Sequence, residues 1–147
     1  MWYVELIVVL LAWGILINNI SLVDVTNDEQ KVANECFRLV GALREVQDHS
    51  RNYHYMDNMD FRPLCYIYRD HYDLQFEQNG VIKRYDLPED MSLDFYDTAN
   101  FMVFRQKSLY NAWTNKTIKI SKGNIAKYII INRIGRIRIS NWYEDSP

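Results

Sequence analysis

The first thirty positions contain no Lys or Arg; Lys31 is the first basic residue. A secretory signal needs a positive leading region and a small-residue cleavage site, and the apolar run that opens this chain has neither. The same lack leaves no charge bias to orient that run in a bilayer. Cysteine occurs twice, as Cys36 and Cys65, with no CxxC spacing, which excludes the familiar zinc and dithiol motifs. The pair is read either as a disulfide, allowed outside the cytoplasm, or as two separate buried thiols. The five glycines are scattered and form neither GxGxxG nor GxxxxGK, so no phosphate cradle is encoded. The three histidines, His49, His54 and His71, form no HExxH, and "DHYD" around His71 is too loose for a metal site. Catalysis needs positioned acids, bases or nucleophiles. None stands out, so the chain is read as a non-enzyme without metal or cofactor.

What is present is uneven. Residues 1–100 hold eight Lys/Arg against seventeen Asp/Glu, whereas residues 101–147 hold nine Lys/Arg against only Glu144 and Asp145. An acidic body with a basic end bears on partners rather than on fold. Residues 1–20 read "MWYVELIVVLLAWGILINNI", with twelve uninterrupted apolar residues from Leu6 to Ile17 and one acid, Glu5, ahead of them. A helical span needs about 20 mostly apolar residues, a length reached over 1–23 only with Glu5 inside. An acid there costs on the order of 2.5–3.5 kcal/mol and calls for a partner. The α-amino group of Met1, in the same chain or a neighbouring copy, is one helical turn away. The plainer alternative places Glu5 among lipid headgroups, in water.

Beyond the span, Thr26 and Glu29 have capping-box spacing. Val32, Cys36, Leu39, Val40, Leu43 and Val46 then recur at i, i+3, i+4 and i+7, an apolar helical stripe over 24–50. From residue 64 the period becomes two. Segments 64–69, 72–78, 81–87, 91–96, 101–106, 117–121, 126–132 and 135–140 read as strands, with Asn79-Gly80 as a hairpin turn and Pro88 as a stop. The layout predicted is α+β: a long N-terminal helix, its first half spanning a membrane over 1–23, packed through its second half on an antiparallel sheet within 24–147.

The C-terminal strand carries the candidate ligand surface. Arg136 and Arg138 are two apart and share a face, Arg133 precedes the Ile134-Gly135 turn, and Lys127 lies on the strand before. Such a ridge suits phosphates in a salt-dependent, sequence-independent way, and Trp142 and Tyr143 suit base stacking. The plainer alternative is an edge strand with charges turned outward to discourage aggregation.

The opening "MWYVELIVVLLAWGIL" resembles the mature N-terminus of type IV pilins and pseudopilins, with Met1 where that family usually has Phe. The order "RYDLPEDMSLDF", "FMVFRQ", "TIKIS", "KYIIINRIGRIRIS" is similar to that of minor pseudopilins of the H/FimT type, including the competence minor pseudopilins of Gram-positive bacteria. The resemblance implies a pilin-like fold, cleavage by a prepilin peptidase and N-methylation at residue 1. It implies that Glu5 pairs with an adjacent subunit's N-terminus during assembly. It also implies a DNA contact through the Gly-Arg-x-Arg tail. The expected protein is a minor pseudopilin in the cell membrane, single-pass, with an extracytoplasmic domain displayed at the cell surface when assembled. Its partners would be other pilin or pseudopilin subunits, the membrane and DNA, and its role DNA uptake in competence. Type II secretion is the alternative, as is an unrelated single-span surface protein, for which the sequons "NIS" and "NKT" speak.

Overall fold

A computed structural model describes residues 2–52, 62–77, 80, 82–96, 100–105, 108–109 and 115–142. Among these residues one helix, α1 (Trp2–Asn52), is followed by nine strands: β1 (Leu64–Ile67), β2 (His71–Gln75), β3 (Lys83–Asp86), β4 (Ser92–Phe95), β5 (Phe101–Arg105), β6 (Ser108–Leu109), β7 (Lys116–Lys122), β8 (Ile125–Ile131) and β9 (Ile137–Ser140). The architecture is mixed α+β. Every described pairing is antiparallel, and the strands form two sheets, β3-β2-β1-β5-β6 and β4-β7-β8-β9. The sheets meet where the turn after β1 reaches β4, with Leu93 N donating to Arg69 O at 2.8 Å.

The core follows from the two periods. On α1, Val32, Cys36, Leu39, Leu43 and Val46 are fully buried, as the apolar stripe requires. The alternate residues Cys65, Ile67, Tyr72, Leu74, Met102 and Phe104 of the first sheet face them, with Leu93, Ile118, Ile120, Ile129 and Ile131 of the second. Arg38 fastens the helix to the first sheet: Nε donates to Tyr72 Oη at 3.2 Å and Nη2 to Asp86 O at 2.7 Å. Its guanidinium also lies 5.5 Å from the Tyr85 ring centre. Two hairpins depend on glycine backbone: Gly123 (φ 55°) joins β7 to β8, and Gly135 (φ 82°) lies in the turn before β9.

The expected membrane-spanning first half is corrected. Among the described residues no helix is long and apolar enough to cross a membrane. The apolar run from Leu6 to Ile17 rises about 18 Å at 1.5 Å per residue, against a hydrocarbon core of about 30 Å. Glu5 bounds it on one side and Asn18-Asn19 on the other. Over 27–51 the helix is amphipathic rather than apolar. The single-pass localisation expected with the span falls for the same reason. Two smaller differences concern strands: β6 was not expected, and Asn79 of the expected hairpin turn lies outside the described residues.

Candidate assembly and nucleic-acid surfaces

The first surface is the start of α1. Tyr3, Leu6, Ile7, Val8, Val9, Leu10, Leu11 and Trp13 are exposed, each by more than half of its area. Six consecutive positions, 6–11, at about 100° per residue go right round the helix, so no single face is polar. Glu5 stands exposed in the first turn, at the end where the helix dipole is positive. Met1, its expected partner, lies outside the described residues.

The second surface is the β8–β9 hairpin. Asn132 shapes the turn by accepting at Oδ1 from Arg136 N (2.8 Å) and at O from Gly135 N (2.8 Å). Arg133 and Arg136 are exposed on either side of it, and Arg138 is exposed on β9, paired with Ile130 of β8. Trp142 projects just beyond, 77% exposed, while Tyr143 lies outside the described residues. A groove of about 360 Å³ joins this turn to the helix and is lined by Arg44, Gln47, Asp48, Ile134, Gly135 and Arg136. Gln47 Nε2 donates to Gly135 O at 2.6 Å and holds the two walls together. Arg44 was not foreseen beside Arg136. Helical spacing puts Arg44 on one face with Asp48, four residues on, but does not tell which hairpin that face meets.

Lys127 does not belong to the ridge. It pairs with Ile120 across the β7–β8 ladder and shares the parity of Ile129 and Ile131, so it points to the helix side of the sheet. There Nζ lies 3.4 Å from Glu29 Oε1 and donates to Asn141 Oδ1 at 2.9 Å. Lys122, on the same side, bridges Asp28 (2.8 Å) and Asp90. Those two hydrogen bonds hold the Lys122 ammonium above its ordinary range, and the bond from Lys122 holds both carboxyls below theirs. The parity signal that removes Lys127 from the outer face was present in "AKYIII". Lys119 does lie on the outer face, 3.8 Å from Asp94 Oδ2.

The cysteines resolve toward the second of their two readings. Cys36 and Cys65 are free thiols, one on the helix stripe and one on β1, both fully buried. Desolvation pushes the Cys36 thiol up to about 12 and Cys65 higher still. Of the histidines, His49 packs against Phe76 with ring centres 4.3 Å apart, and His71 Nδ1 bonds Asp70 Oδ1 at 2.7 Å. His54 lies outside the described residues. Among the described residues no group of three or more His, Cys, Asp or Glu side chains is placed to hold a metal ion.

Compared with known proteins, the chain matches no family model, no curated protein and no solved structure.

Proposed function

We infer that this chain is a minor pseudopilin-like subunit of a type IV pilus-like filament that serves DNA uptake. The observation that carries the reading is the start of α1. A folded domain continues into a helix that is apolar all round, exposed, and headed by a single carboxylate. Such a helix is stable in water only when other apolar surface covers it. Helices of neighbouring subunits supply that cover in a head-to-tail filament. Glu5 within the bundle then takes the amino terminus of an adjacent subunit as its counter-charge, and so sets the axial register of the newcomer. A prepilin peptidase would prepare that amine.

The DNA part of the reading is supported by Arg133, Arg136 and Arg138 clustered at one hairpin, with Arg44 beside them and Trp142 next to the strand. Phosphate contacts by these groups are sequence-independent, as uptake requires.

The test is incorporation. Filaments sheared from cells that express the wild-type chain contain it in the pelleted fraction, and Glu5→Ala is depleted there while total protein is unchanged. Equal incorporation of the two would refute the role given to Glu5.

A further inference from the structure

The outer face of the first sheet carries a row of rings that neither the core nor the assembly surface uses. Tyr66 and Tyr68 lie 6.4 Å apart, and Tyr66 meets Phe101 edge-on at 6.1 Å. Phe101 is 45% exposed. The row runs into a groove of about 560 Å³ at the seam between the two sheets. Its lining includes the buried pair Ile67 and Leu93 together with Tyr96, 52% exposed, and Tyr68, one face of which already stacks on His71 with ring centres 4.4 Å apart. Arg69, Asp94 and Asn100 add a cation, an anion and an amide to the lining. An open groove of this size, lined about equally by polar and apolar groups, lies within the volume range of ligand clefts.

The chemistry selects among occupants. Around the groove the cations Arg69 and Lys119, the latter 3.8 Å from Asp94, are balanced by Asp94 and the exposed Asp70 next to Arg69. A polyanion therefore gains nothing here, and nucleic acid is disfavoured despite the rings. An extended peptide adding to the edge of β4 is disfavoured too, because Leu93 N already donates to Arg69 O at 2.8 Å. What fits is a neutral ring with apolar C–H faces and many hydroxyls. The faces stack on Tyr96 and on the face of Tyr68 turned away from His71, and the hydroxyls meet guanidinium, carboxylate and amide, which between them donate and accept.

We propose that this seam groove binds a neutral saccharide, with Tyr68 and Tyr96 as stacking surfaces and Arg69, Asp94 and Asn100 as hydroxyl partners. The row through Tyr66 to Phe101 extends the platform for further sugar units.

The test uses the full chain in a zwitterionic, sugar-free detergent, titrated by calorimetry with maltotetraose, cellotetraose, chitotetraose and mannotetraose. A short oligothymidylate serves as the polyanion control. Saturable binding of at least one saccharide is expected, weakened roughly tenfold in Tyr96→Ala, the scale for losing one stacking ring. Asn100→Ala should weaken it as well. That variant keeps the backbone carbonyl that accepts from Ile67 N at 2.7 Å, so the strand end stays in place. Phe37→Ala, on an exposed position of α1 outside the groove lining, should leave binding unchanged. The proposal is overturned if no saccharide binds, if binding is the same in Tyr96→Ala and Asn100→Ala, or if oligothymidylate alone binds and those variants abolish it.

Discussion

Lys127 Nζ lies 3.4 Å from Glu29 Oε1, joining the third strand of the second sheet to the helix just where α1 begins to pack. Lys122 repeats the device one hairpin earlier with Asp28 and Asp90. Both ammonium groups sit beneath the helix, with side chains only about one-seventh exposed. Together they fasten residues 28–29, close to the first buried position of the helix stripe at Val32, to the domain.

This fastening is acid-sensitive in one direction. The carboxyls of Asp28 and Asp90 are held below their ordinary value by the hydrogen bond from Lys122. Their contribution is therefore complete above the unfolded carboxyl value of about 3.9 and is lost as pH falls through the lower folded values. Thermal midpoints by circular dichroism should be level between pH 5 and 7 and drop below about pH 4. Lys122→Ala should lower the midpoint at pH 7 and converge on wild type at acid pH. A constant difference across the range would contradict the clamp.

Helix and sheets are held chiefly by the apolar stripe. Leu39 is fully buried between them. Truncating it to Ala should cost about 2–5 kcal/mol in urea unfolding, through lost burial and the cavity left behind. Phe37, two residues earlier, is 66% exposed, and its truncation should change stability by less than about 0.5 kcal/mol.

The two thiols should be inert in the folded chain. Burial pushes Cys36 up to about 12, and Cys65 is buried on β1, so neither presents a thiolate at neutral pH. Ellman's reagent at pH 8 should report no fast thiol in the native protein and two after denaturation without reductant. A mass two hydrogens short would restore the disulfide reading instead.

The hairpin arginines set the expected DNA behaviour. Replacing Arg136 and Arg138 by Gln should reduce the slope of log affinity against log salt by about 1.8 on duplex DNA, near 0.9 for each lost phosphate contact. Fluorescence anisotropy across a salt series measures this. An unchanged slope places the contact elsewhere.

Local periodicity carried much of this into the sequence. The i, i+3, i+4 stripe from Val32 to Val46 and the alternation of β1, β7 and β8 need only neighbouring residues to be read. The failures share a cause, which is distance along the chain. Which strands pair, and that they divide into two sheets meeting at Arg69 and Leu93, depends on partners far apart in sequence. The proximity of Arg44 to the hairpin of Arg136 depends on the docking of α1 as a whole. The two-residue strand β6 is too short to show a period. Lys127 is different: its parity with Ile129 placed it inward, and its charge suggested the opposite. The apolar run at the start looked long enough for a bilayer only when Glu5 and the two asparagines after Ile17 were counted within it.

Filament assembly of the proposed kind requires other subunits to cover the exposed, all-round apolar start of α1. Because both native thiols are buried, Val8→Cys would present one accessible thiol on that segment. Filaments carrying this variant should resist maleimide labelling until dissociated. Mild oxidation, with a second cysteine placed on a partner subunit's helix, should give a cross-linked pair. Full labelling at position 8 in intact filaments, with no cross-linked species, would contradict the account.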